Sequence, residues 1–244
     1  MKAYGITDKG AVRKENQDTF RFEFSEGEDM LCAVLCDGMG GAQAGSVASG
    51  MAAEAFMLHA ETAFSPGLSW ADIRSILREA VDYANVKVYD RSFTDFSCMG
   101  MGCTLVGMIM KGERCLIANV GDSRAYLLGE GEIRQISRDH SLVEELIARG
   151  EISRDEARTH PQKNIITRAI GVEAAVKCDI FDFSPEKDAR LVLCSDGLSN
   201  VVSDREILQL STAHQDISSA AGSMLDLALR RGAPDNVTVF IAQI

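Results

Sequence analysis

No stretch of this chain approaches the roughly 20 consecutive apolar residues that a membrane-spanning helix needs. The N-terminal MKAYGITDKGAVRKENQD also lacks the apolar core of a secretion signal. Positive charge is scarce: 25 lysines and arginines stand against 36 aspartates and glutamates, a formal net charge of −11. That balance argues against a surface for nucleic acid or anionic membrane, either of which requires a basic patch. It does not exclude a phosphorylated ligand, because bound cations reverse the local sign. No C-x-x-C occurs, and the seven cysteines, an odd number, sit mostly inside apolar runs. Both facts point to reduced, buried thiols in a cytoplasmic protein rather than to a disulfide framework. Interdomain linkers, low-complexity segments, solenoid repeats and heptad seams are missing too. The expectation is one domain over residues 1–244, monomeric. A chain of this length buries about three quarters of its unfolded surface and needs no staples.

What is present is organised around Met30–Gly41, MLCAVLCDGMGG. Leu31 to Cys36 is a run of apolar or small residues that stops at Asp37-Gly38, which reads as a buried strand closed by a turn. Gly40 and Gly41 follow, so the backbone can turn sharply and approach a ligand. The same design returns in ARLVLCSDGLSN, where Leu191–Cys194 ends at Asp196-Gly197. Asp18 precedes the alternating Phe20, Phe22 and Phe24, and Asp235 precedes the alternating Val237, Val239 and Ile241. Two carboxylates thus leave strands and two enter them. In an antiparallel sheet the ends of outgoing strands lie beside the starts of incoming ones. The four acids are expected to meet at one edge and hold divalent metal.

Two further residues are ambiguous on spacing alone. Arg13, five residues ahead of Asp18, is either a solvated surface charge or an anion clamp, since a guanidinium fork matches phosphate. Asp122, in a Gly-Asp-Ser turn, serves either the turn's own hydrogen bonds or a metal. Along the chain, Ala44–Ala63 reads as a helix, and Ser69-x-x-Asp72 caps a second that ends near Tyr89. Strands at Cys103–Met110, Arg114–Val120, Arg124–Leu128 and Ile133–Ile136 with glycine turns suggest an antiparallel meander. Helices begin at Ser141 and Ser153 within a long insertion of the kind that often forms a lid. Strands Cys178–Phe183 and Arg190–Cys194, two more helices and a closing strand from Asn236 complete the order. Paired helices and locally paired strands fit two antiparallel sheets packed face to face, with a helix pair on each outer side.

Seven motifs then occur in register. They are V-R-x-x-N-Q-D (Val12–Asp18), C-D-G-M-G-G (Cys36–Gly41), M-G-C-T (Met101–Thr104), V-G-D-S-R-A-Y (Val120–Tyr126), N-I-I-T-R-A-I-G (Asn164–Gly171), C-S-D-G-L (Cys194–Leu198) and P-D-N-V-T (Pro234–Thr238). Together they resemble the metal-dependent protein phosphatases, the type 2C serine/threonine family, in its minimal bacterial form. The resemblance implies an α-β-β-α sandwich, with two Mn²⁺ or Mg²⁺ ions per chain between the sheets. It implies that Asp37 bridges the ions, that Asp196 and Asp235 bind on one side, and that the Gly38 carbonyl and Asp18 serve the other. It also implies that Arg13 clamps the substrate phosphate, that Asp122 with Asp196 frames a third ion, and that residues 141–171 form a flap. A metal-activated water would attack phosphoserine or phosphothreonine on protein substrates, opposing bacterial serine/threonine kinases. A narrow-specificity phosphatase for one regulatory protein and a silent phosphoprotein binder are the alternatives; the complete acid set speaks against silence. Met39 stands where animal relatives carry a histidine proposed as leaving-group acid, which leaves a bound water, His140 or His160 for that task. Gln17 replaces a glutamate, Gly100 an aspartate of the third site, and Cys103 a threonine or serine.

Overall fold

The computed structural model describes residues 1–27, 29–41 and 44–244, apart from the side chain of Arg158. Strands β1 (Lys2–Asp8), β2 (Asp18–Phe24) and β3 (Met30–Met39) lead into helices α1 (Ala44–Ala60) and α2 (Trp70–Thr94). Then come β4 (Gly102–Cys103), β5 (Leu105–Lys111), β6 (Arg114–Val120), β7 (Arg124–Gly129) and β8 (Glu132–Gln135). Helices α3 (Leu142–Ala148) and α4 (Arg154–Thr159) occupy the insertion. The chain closes with β9 (Asp179–Phe183), β10 (Arg190–Cys194), α5 (Asp196–Ser199), α6 (Asp204–Ala213), α7 (Ile217–Arg230) and β11 (Val237–Gln243). Capping follows the expected serines: Ser69 with Asp72, Ser153 with Glu156 and Ser203 with Glu206 each form a reciprocal box.

Among the described residues the strands form two antiparallel sheets, one ordered β1-β11-β10-β7-β8 and one β2-β3-β5-β6-β9, with β4 also paired to β3. Alternation decides which face each residue takes. On β3, Cys32, Val34 and Cys36 pack under α1 and α2, while Leu31, Ala33 and Leu35 meet the opposing sheet. On β10 and β11, Val192, Cys194, Val239 and Ile241 pack under the C-terminal helices, while Leu191, Leu193, Phe240 and Ala242 face the other sheet. These strands are covered on both sides, which explains their unbroken apolar runs. A register slip of one residue would exchange the two faces, and burying each large aliphatic side chain contributes about 1.5–3 kcal/mol, so the register is firmly set. The sandwich with a helix pair on each outer side is the expected architecture, and all seven cysteines are free and buried.

Two expectations need correction. The four strands from Cys103 to Ile136 are not one meander: β5 and β6 belong to the six-stranded sheet, β7 and β8 to the other. The chain crosses between sheets at Gly121–Ser123, where Gly121 takes φ +104° and an added Cβ would lie 2.6 Å from Thr104 Cγ2. A glycine that reads as a hairpin turn is here a crossover. Second, β3 does not stop at Asp37. It continues to Met39 by exchanging β5 for β4, with Gly38 opposite Cys103 and Met39 opposite Gly102. The turn begins only at Gly40, φ +129°.

Candidate metal centre

Because Leu35 and Phe20 face the opposing sheet, the next residues in phase, Asp37 and Asp18, face it as well. They are register partners on β3 and β2. Like charges directly opposite across two strands are destabilising, so this pair costs stability unless something positive lies between them. Asp196 follows β10 by two residues, and Asp235 precedes β11 by two. The apolar seam between the sheets therefore ends in acids from both.

Asp18 is buried and fixed by the opposite sheet. Its Oδ2 accepts from Ser195 Oγ and Thr238 Oγ1, each at 2.7 Å, while Oδ1 is buried with no hydrogen-bond partner. Burial pushes its pKa up to about 6, the two hydroxyls oppose the shift, and Asp196 and Asp235 add to it. Asp37 is anchored through its backbone: its N–H donates to Thr104 Oγ1 at 3.0 Å, and Thr104 N–H donates to the Asp37 carbonyl at 2.8 Å. Its carboxyl is held well above the usual range, first by burial and then by Asp18, Asp196, Asp122 and Asp235. Asp196 is raised by burial and by Asp235, against relief from a contact with the Asp37 carboxyl and from Arg124 and Arg13. Its Oδ2 accepts from Asn200 Nδ2 at 3.0 Å, and its Oδ1 is buried without a partner. Two ionised carboxylates cannot share such a contact without a proton or a cation between them.

Asp235 accepts from Arg13 Nη2 at 2.7 Å and from the Asn236 N–H at 2.9 Å. Asn236 then ties down the loop that carries Arg13: its Nδ2 donates to the carbonyls of Lys9 and Glu15, and its Oδ1 accepts from Gln17 N–H. Arg13 is exposed at the rim, and its guanidinium also feels Asp37 and Asp196. Gly38 N–H donates to the Gln17 carbonyl at 3.1 Å, and a Cβ there would stand 2.1 Å from the Gly45 carbonyl oxygen, so α1 can approach β3 only over glycine. Asp122 sits in the crossover, its pKa raised to about 7 by burial, then by Asp196 and Asp139. All seven expected site residues thus come together in one neighbourhood.

Ser195, Thr238 and Asn236 were not singled out from sequence, although they lie inside the C-S-D-G-L and P-D-N-V-T motifs. Their work is to orient Asp18 and the Arg13 loop. The suggested proton donors fare differently. His140 Nδ1 accepts from Gly121 N–H at 3.1 Å, which leaves the proton on Nε2, 3.2 Å from Asp179 Oδ2. Arg168 Nη1 lies 3.0 Å from that nitrogen but cannot donate into it, and it donates instead to Asp179 Oδ1 at 3.1 Å. Burial keeps the ring neutral, with Asp179 pulling the other way. His160 ends α4, and its Nδ1 accepts from Gln162 N–H. Both histidines therefore serve the flap's structure.

The donor set is all oxygen, which suits Mg²⁺ or Mn²⁺. Among the described residues no three acid, histidine or cysteine side chains already gather as a ready ligand set for one ion. The cradle is open, as fits hard cations that keep several waters. The orphaned oxygens of Asp18 and Asp196 and the crowding of Asp37 against Asp196 fit a cationic occupant.

The Protein phosphatase 2C family matches residues 10–228. The serine/threonine phosphatase stp of Listeria welshimeri is 38% identical over 243 residues, covering 100% of this chain and 96% of that protein. The serine/threonine phosphatase Stp1 of Staphylococcus aureus superposes with a TM-score of 0.90 at 36% identity, covering 99% of this chain and 94% of that one. The catalytic domain of the phosphatase PstP, solved in complex with two manganese ions, gives a TM-score of 0.85 at 33% identity over 99% of this chain and 97% of its own. A family match over nearly all of its length, with relatives of this identity from end to end, means that the chain belongs to the protein phosphatase 2C family and is a protein serine/threonine phosphatase.

Proposed function

We propose that the acid cluster between the sheets is a binuclear Mn²⁺ or Mg²⁺ centre that hydrolyses phosphoserine and phosphothreonine on proteins, in a cytoplasmic monomer that reverses serine/threonine kinase signalling. The observation that carries this reading is the set of buried carboxylates with orphaned Oδ1 atoms on Asp18 and Asp196 and a carboxyl–carboxyl contact between Asp37 and Asp196. The manganese pair in the PstP catalytic domain supports it. Asp37 would bridge, Asp196 and Asp235 would bind one ion, and the Gly38 carbonyl with Asp18 would serve the other. Asp122 and Asp196 frame a third position. The ions, when bound, supply Lewis-acid charge that lowers the pKa of a water and neutralises the phosphoryl oxygens.

The chain's own residues do the rest. Arg13 swings from Asp235 to donate to two phosphoryl oxygens, orienting the ester. Thr104 fixes the backbone on either side of the Asp37 carboxyl, and Asn236 holds the Arg13 loop in reach. Met39 carries no labile proton and His140 is committed elsewhere, so the leaving hydroxyl takes its proton from water. Hydrolysis of an aryl phosphate, with and without Mn²⁺, and calorimetric titration of Mn²⁺ test the reading together. Asp196→Asn should lower turnover by at least about 10²-fold and weaken the measured Mn²⁺ affinity, while the far-UV spectrum stays unchanged. Full activity in excess chelator, or unaltered Mn²⁺ binding by the variant, would sink it.

A further inference from the structure

A cavity of about 360 Å³ has Asp122 and Asp196 in its lining, so it is continuous with the centre. Other lining residues come from the flap, including Glu144, Arg154 and Lys163, and from the start of α6, including Asp204 and Glu206. A peptide whose phosphate reaches the acid cluster beside the flap has to lay its neighbouring residues here. Three of the four cations in this lining are already neutralised. Arg124 meets Asp139 at 2.7 Å, Arg154 meets Glu144 at 3.3 Å and Arg231 meets Glu206 at 2.5 Å. Among the described residues, Lys163 has no carboxylate within ion-pair distance, and it is exposed. Its backbone is nonetheless held, with its N–H donating to the His160 carbonyl at 3.1 Å and Ile165 N–H donating to the Gln162 carbonyl at 3.2 Å.

We propose that Lys163 is a specificity-determining residue of the flap, one that favours phosphoprotein substrates with an acidic side chain close to the phosphoserine or phosphothreonine. The inference rests on the acid cluster being the reaction centre. A flexible ammonium with three donors needs only an approximate position for its partner, so it reads charge rather than a strict sequence. Complementary charge of this kind selects among partners more than it raises affinity outright.

The experiment compares kcat/KM of the full chain with Mn²⁺ on three phosphothreonine peptides that differ only in flanking glutamate, glutamine or lysine. The glutamate peptide should exceed the glutamine peptide by about three- to fivefold, the range of a solvent-exposed ion pair, and added salt should shrink the ratio. Lys163→Gln should bring the ratio to about one, and Lys163→Glu should invert it. Lys177→Gln removes the same charge from an exposed position outside this cavity and should keep the wild-type ratio. A wild-type ratio near one, or a ratio untouched by Lys163→Gln, overturns the proposal. Turnover of the glutamine peptide that survives Asp196→Asn would instead overturn the placement of the centre, so the two failures are distinct.

Discussion

At the scale of single residues, the centre is a problem in negative charge. Asp18, Asp37, Asp122 and Asp196 all hold raised pKa values for one dominant reason, burial, with their mutual repulsion added. Arg13 is the single cation ion-paired to any of the six expected site groups among the described residues, and it sits on the least enclosed of the acids, Asp235. An exposed guanidinium on a rim carboxylate adds little to stability, so its value lies in what else it can reach. Arg13→Ala should raise KM for an aryl phosphate by about tenfold while lowering kcat less, because a clamp on phosphoryl oxygens acts in the ground state as well as in the transition state. Steady-state kinetics at saturating Mn²⁺ provides the check, and an unchanged KM would return Arg13 to an ordinary surface charge.

At the scale of elements, what the sequence discloses depends on how local the cause is. The strand-bounded acids were legible because apolar phase and strand ends are local properties. The S-x-x-D/E caps were legible for the same reason. The crossover at Gly121–Ser123 was not, because Lys111-Gly112 and Gly121-Asp122 look alike as turn signals, and only the packing of Thr104 under Gly121 separates them. Nor could spacing show β3 exchanging partners at Gly38, which depends on β4 arriving from beyond two helices. The flap's stem belongs to the same class of long-range facts. Thr167 N–H donates to the His140 carbonyl, Leu142 N–H to the Ile165 carbonyl, and His140 N–H to the Gly121 carbonyl. His140 is the side chain that joins the crossover to β9 through Asp179. Losing its two ring hydrogen bonds in His140→Ala should cost about 2–3 kcal/mol and lower Tm by about 4–10 °C for a chain of this size. Any loss of activity should be the same for alkyl and aryl phosphates. A much greater loss on alkyl phosphates, the poorer leaving groups, would show that His140 donates the proton after all.

At the scale of the whole molecule, the acid cluster sets the fold against its own centre, and pH should expose the conflict. A carboxyl whose folded pKa lies above its unfolded value binds its proton more tightly when folded. Its contribution to stability is complete below the unfolded value and is lost as pH rises through the folded one. For Asp18 and Asp122 that loss runs from about pH 4 to about 6 and about 7, and Asp37 and Asp196 shift the same way. His140 works in the opposite sense, its lowered pKa favouring the fold at higher pH, but it is one group against four. The depressed carboxyls, among them Asp216 at about 2, Asp72, Asp95 and Glu156, keep their contribution until the pH falls below the ordinary carboxylate range. Chelated protein should therefore melt at its highest temperature near pH 5 and several degrees lower at pH 8. Saturating Mn²⁺ reverses the upper limb, because cation binding favours the ionised acids and stabilises by mass action. Binding near pH 6.5 should also release protons, measurable as a buffer-dependent calorimetric heat, and Asp37→Asn should flatten the chelated protein's slope between pH 5 and 8. A chelated protein whose Tm rises steadily from pH 5 to 8 would mean that the carboxylates between the sheets already carry their charge at no cost, and the case for a cation-dependent cradle would fail with it.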